Sequence, residues 1–109
     1  MKMNTIEFNL SQLIKSAEIL GLSNVDIKIA QEYLEYNELG LCFDTIVTQL
    51  YEYDIEIDNQ FFLMVSKIAN MMTLSQSHYD FMKDLIRDNS LIPKLVKEQI
   101  AEIIKSLNS

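Results

Sequence analysis

The chain has 109 residues, a formal net charge of −7, and 49% hydrophobic residues. That length suits one domain and can bury a core without staples, and so large an apolar share excludes a disordered chain. Two glycines and one proline are too few turn residues for an all-β fold, so the expected class is all-α: a single-domain bundle of about six short helices spanning 1–109.

The first helix is predicted over 5–20, where Ile6, Leu10, Leu13, Ile14, Ala17 and Leu20 fall at helical spacing and Gly21 sits where a C-cap glycine belongs. Ser23 opens a second helix, with Asp26 three residues on as a variant capping box. Its inner face is Ile27, Ala30, Tyr33 and Leu34, with Glu32 and Glu35 outside, and Asn37 to Gly40 is read as its break. A third helix, roughly 41–53, turns Phe43, Ile46, Val47 and Leu50 inward and gathers Asp44, Thr48, Tyr51 and Glu52 on the opposite face.

From Tyr51 to Asp58 the sequence alternates ring or isoleucine with acid, the period of a half-buried strand. In an otherwise helical chain the alternation is read as two pieces. The first half finishes the third helix. The second is an extended hinge that points Ile55 and Ile57 into the core and Glu56 to water. Asp58 then caps a fourth helix, roughly 59–72. Ser75 is read as the cap of a fifth, with Tyr79, Met82, Leu85 and Ile86 on its apolar side. Pro93 stands at the first position of a sixth, whose stripe is Val96, Ile100, Ile103, Ile104 and Leu107.

Charge is segregated along the chain. Between Lys28 and Lys67 there is no lysine or arginine, and that window holds Glu32, Glu35, Glu38, Asp44, Glu52, Asp54, Glu56 and Asp58. Such a surface repels nucleic-acid phosphates and anionic lipids and attracts basic partners. Interleaved with the acids are Tyr36, Tyr51 and Tyr53, and tyrosine is a common anchor at protein interfaces. Acid with tyrosine therefore suggests docking onto a basic protein; a merely solvated surface is the plainer reading.

Signs of catalysis are sparse. His78 is the one histidine and reads as a surface or cap residue. No His/Cys cluster has zinc spacing and no glycine-rich phosphate loop is present. Asp80, Asp84 and Asp88 recur every four residues, a possible cation site, but Lys83 and Arg87 beside them favour a salt-bridged face. Cys42, in the apolar run LGLCFD, reads as a buried thiol, and Met64, Met71 and Met72 as core fillers or, alternatively, an adaptable groove. No catalytic residue, metal or cofactor is expected. A lone cysteine fits a reducing compartment. The N-terminal MKMNTIEFNLSQLIK lacks an apolar run of signal-peptide length, and the longest such run, FFLMV at 61–65, is far short of a membrane span. The expectation is a cytoplasmic protein without membrane or nucleic-acid contacts.

The stretch YLEYNELGLCFDTIVTQLYEYDIEIDNQFFLMVSKIANMM, residues 33–72, resembles the MafI-like family of immunity proteins. The pattern is a helix ending at a short acidic-glycine break (Asn37-Glu38-Leu39-Gly40), and then an amphipathic helix ending in Gln49-Leu50-Tyr51-Glu52. An extended Ile55-x-Ile57 link closed by a polar cap and an apolar helix follow. The preceding LGLSNVDIKIAQEYL fits that family's second helix, so the likeness spans roughly residues 18–87. It implies a small bacterial antidote that binds the C-terminal toxic domain of a cognate toxin, commonly a nuclease and often an RNase. On that reading the partner-binding residues are Glu32, Glu35, Tyr36, Glu38, Asp44, Tyr51, Glu52, Tyr53, Asp54, Glu56 and Asp58. Glu52, Asp54 and Glu56 would steer, and Tyr51 and Tyr53 would anchor. The alternative is an acidic helical adaptor for another basic protein.

Overall fold

The computed structural model describes residues 4–87 and 91–107. The fold is all-α: α1 (Thr5–Leu20), α2 (Asn24–Glu35), α3 (Leu39–Glu52), α4 (Asn59–Met71) and α5 (Lys94–Lys105), with a 3₁₀ turn (Gln76–His78) and a 3₁₀ helix (Asp80–Leu85) between α4 and α5. Apart from one isolated parallel bridge between Ile57 and Ile86, the described residues contain no β-structure.

Local chemistry explains the helix starts. Asn4 and Glu7 form a reciprocal capping box: the Glu7 amide donates to Asn4 Oδ1 at 2.7 Å and the Asn4 amide to Glu7 Oε1 at 3.1 Å. Ser23 caps α2, its hydroxyl also donating to Asp26 Oδ2 at 2.9 Å. Asp58 caps α4 through the Phe61 amide, 2.9 Å from Oδ1.

Four helix ends share one closure. In each, a residue at positive φ turns the chain, and the amide after it returns to a carbonyl five residues back, the pattern of a Schellman motif. Gly21 (φ 116°) does this for α1, Asn37 (61°) for α2, Asp54 (55°) for α3 and Thr73 (62°) for α4. The returning amides are Leu22 to Ala17, Glu38 to Tyr33, Ile55 to Leu50 and Leu74 to Ala69, at 2.8–3.0 Å. The α2 break is therefore Tyr36 to Glu38. Leu39 and Gly40, expected in the break, already belong to α3.

The fifth expected helix is not an α-helix. Tyr79, Met82 and Leu85 are spaced by three, the period of a 3₁₀ helix, and all three are buried in line. The same period puts Lys83 over Asp80, with Nζ 2.9 Å from Oδ1. The proposed Asp80–Asp84–Asp88 row accordingly dissolves: four residues is a third of a turn out of phase at three per turn, and Asp88 lies outside the described residues. Pro93 is the residue before α5 rather than its first.

One hydrophobic core joins the elements, with Leu10, Leu13, Phe43, Ile46, Leu50, Phe61, Ile68, Met82 and Ile100 fully buried. Truncating a buried phenylalanine such as Phe43 removes about 3–5 kcal/mol. The 3₁₀ segment is clamped from two sides. Tyr79 lies beside Phe62, ring centroids 5.9 Å apart, with its hydroxyl 3.2 Å from Ser66 Oγ on α4. Phe81 meets Tyr51 of α3 edge-on at 5.0 Å. Ile57 is fully buried, its amide donating to Leu85 O at 3.1 Å. Among the described residues, no helix is long and apolar enough to cross a membrane.

Candidate functional site

α2 and α3 form an antiparallel hairpin over the core. Its register is held by Gln49, whose Nε2 donates to the buried Asp26 Oδ1 at 2.9 Å. The inner stripes, Ile27 and Ala30 on α2 and Phe43, Ile46, Val47 and Leu50 on α3, are buried. The outer sides carry Glu32, Glu35, Thr48 and Glu52, all exposed. Most of the solvent side of the hairpin thus falls inside the segment that lacks lysine and arginine from residue 29 to 66, with Lys28 exposed on α2 just before it.

The expected partner-binding residues divide into two groups at opposite ends of α3. Glu35, Tyr36 and Glu38 stand at the α2–α3 turn, with Glu32 one turn back; Tyr36 is 75% exposed. Tyr51, Glu52, Tyr53 and Asp54 stand at the other end, all exposed. A 14-residue helix separates the groups by about 20 Å. Asp44 lies between them, half-buried, with Oδ1 3.4 Å from His78 Nδ1. This gives the lone histidine a place on the flank of α3.

Two of the expected residues have other duties. Asp58 is only 5% exposed, and both oxygens are occupied, Oδ1 by the Phe61 amide and Oδ2 by Gln60 Nε2 at 3.0 Å. It is a structural cap, because a buried carboxylate at a helix N-terminus satisfies otherwise orphaned amides. Glu56, expected to face water, is half-buried, and its Oε2 is buried without a hydrogen-bond partner. Its neighbour Ile55 is only partly buried, so the hinge twists rather than alternating cleanly.

The corner has a counterion. Arg87 donates to Asp54 Oδ1, and this hydrogen bond holds the Asp54 carboxyl below its ordinary value. Both side chains are exposed, so the pair is screened and contributes little to stability. It partly offsets the negative charge at this end, where Glu52 stands exposed beside Tyr51 and Tyr53. A cavity of about 420 Å³ opens here, walled by Ile19, Ile55, Glu56, Arg87, Ile92 and Val96 among others.

Sequence reasoning passed over three apolar residues on the same face. Val25 is 68%, Leu41 49% and Ile29 38% exposed. Ile29 and Leu41 line a shallow groove of about 340 Å³ between α2 and α3, together with Asp26, Asp44, Thr45, Thr48 and Gln49. The available signal was the outer helical phase of Val25, Ile29 and Leu41, which a search for acids does not register.

Cys42 is fully buried, and burial pushes its thiol up to about 12, so it stays neutral and unreactive. Among the described residues, no group of three His, Cys, Asp or Glu side chains is arranged to hold a metal ion. No protein-family model matches the chain, no curated protein matches it, and no solved structure matches it.

Proposed function

We propose that this protein binds and neutralises a basic protein domain, in the manner of a bacterial immunity protein that occludes the substrate cleft of a nuclease toxin, an RNase being the first candidate. The observation that carries the reading is the outer side of the α2–α3 hairpin: exposed Glu32, Glu35, Glu38 and Glu52, exposed Tyr36, Tyr51 and Tyr53, and no lysine or arginine between Lys28 and Lys67. A nuclease cleft is basic because it must hold phosphates, and such a face is complementary to it. The resemblance of residues 33–72 to MafI-like immunity proteins supports the same reading.

Charge and anchoring divide the work. Carboxylates raise the association rate, up to about 10⁸–10⁹ M⁻¹s⁻¹ at low salt, which suits an antidote whose target turns over many substrates. A nanomolar complex requires about −12 kcal/mol, and rim charges alone do not supply that, so buried rings and apolar groups must.

The test mixes the purified protein with the toxic domain encoded immediately upstream of its gene and follows calorimetry beside RNA cleavage. One-to-one binding with loss of cleavage is expected. Glu52→Lys should slow association and flatten its salt dependence. No binding would overturn the antidote reading and leave an acidic helical adaptor.

A further inference from the structure

Two stripes on the outer side of the hairpin share one spacing. Along α2 and its C-cap run the exposed Val25, Ile29, Glu32 and Tyr36; along α3 run Leu41, Thr48 and Glu52, exposed, with Thr45 half-buried among them. Each set steps by four, three and four, so each runs along one side of its helix for about three turns. Because the helices are antiparallel, with Asp26 bonded to Gln49, Tyr36 lies at the Leu41 end and Val25 at the Glu52 end. Ile29, Leu41, Thr45 and Thr48 line the trough together with the mutually bonded Asp26 and Gln49, and Glu32, Asp44 and Glu52 stand at its borders. We infer that this trough receives an amphipathic helix of the basic partner, apolar side down between α2 and α3 and lysines or arginines toward Glu32, Asp44 and Glu52. This rests on the partner being basic, as proposed above, and adds what part of it is held and how.

Three observations favour that occupant. The stripes are about 16 Å long, matching three turns of a partner helix. Two neighbouring antiparallel helices present a ready-made groove for a third, and helix-in-groove recognition reads anchors at this same spacing. The border charges are mostly of one sign: against Glu32, Asp44 and Glu52 stands a single cation on α2, Lys28, one helical turn before Glu32. A second copy of this chain is a poorer occupant, since a two-fold contact would set one acid-bordered face against another.

The experiment uses two synthetic peptides of about 15 residues with identical leucine and lysine content. One is patterned as an amphipathic helix; the other has the leucines scrambled. Each is titrated into the full chain by calorimetry at low and high salt, with Leu41→Asp, Ile29→Asp and, as a control on another exposed leucine, Leu63→Asp. Thermal unfolding confirms that each variant is folded. The patterned peptide should bind at least about tenfold tighter than the scrambled one, and Leu41→Asp and Ile29→Asp should each remove about tenfold. Leu63→Asp should change affinity less than about twofold. The sign is diagnostic, because an added carboxylate strengthens attraction of a lysine peptide wherever charge alone holds it. Equal binding of both peptides, or tighter binding to Leu41→Asp, overturns the trough while leaving the acidic face standing. Absence of any salt-dependent association overturns both. Sedimentation showing a dimer that Leu41→Asp dissociates assigns the trough to a second copy and overturns the inference.

Discussion

Replacing Asp58 separates a structural carboxylate from a recognition one. In Asp58→Ala the Phe61 amide loses its 2.9 Å acceptor and Gln60 Nε2 loses one of two, retaining Lys97 O at 3.2 Å. Loss of an N-cap costs about 0.5–2 kcal/mol, and the site's burial places this one at the upper end, because a buried amide left without an acceptor costs about 1–3 kcal/mol. These overlap, since the orphaned amide is the lost cap, so the expected destabilisation is about 2 kcal/mol. For a domain of this size that lowers Tm by roughly 10 °C. Asp58→Asn keeps one acceptor for the Phe61 amide and should lose less than about 1 kcal/mol. Urea unfolding followed by circular dichroism measures both, and binding of the patterned lysine peptide to the folded variants measures recognition. A loss below about 0.5 kcal/mol for Asp58→Ala would refute the capping argument. So would folded Asp58→Ala weakening the peptide as strongly as Glu52→Lys, since a buried cap contributes little to a docking face.

Other outcomes follow from particular groups. Arg87→Gln removes the hydrogen bond that lowers the Asp54 carboxyl; the stability it loses should be present above roughly pH 4, the ordinary aspartate range, and disappear as the pH falls through the lowered value, as a pH series of urea midpoints would read. Cys42 should resist a thiol reagent until the chain unfolds; because its folded value is raised from 9.0 to about 12, stability should fall as the pH rises above 9. The two glycines should respond with opposite signs in thermal melts: Gly21→Ala at φ 116° should cost about 1 kcal/mol, while Gly40→Ala, inside the first turn of α3 with open space at its Cβ, should gain about 0.5–1 kcal/mol.

Helical periodicity made α1, α2, α4 and α5 readable, because each has one buried stripe and a clear start or stop. The break before α3 was drawn two residues too long because Gly40 drew attention, while the chain turns at Asn37, whose short polar side chain allows left-handed backbone. Asp54 does the same at the end of α3, and Thr73, β-branched and so disfavoured there, takes positive φ at the end of α4; so few glycines therefore suffice. The 3₁₀ helix left a trace, the three-residue spacing of Tyr79, Met82 and Leu85, which a search for helical period rounds up to an α-helix. Asp58 was read both as a cap and as a binding acid; only burial separates those roles. The trough was hidden for a different reason. Threonines and isolated aliphatics on an outer face carry no charge signal, and their alignment appears only once Gln49 has set the register between α2 and α3.

The shared helix closure has one exception that bears on motion. In three of the four closures the residue after the turn is apolar and at least partly buried: Leu22, Ile55 and Leu74. Such a side chain clamps the turn against its own helix. After Asn37 the position is Glu38, which is exposed. The α2–α3 tip therefore lacks that apolar clamp, and it is expected to open at the lowest cost of the four. Amides at Asn37 and Glu38 should exchange with deuterium sooner than their counterparts at the other three corners. In the proposed complex the Tyr36 end of the hairpin would then adjust to an arriving surface, while the Tyr51 end, packed edge-on against Phe81, would be the firmer one.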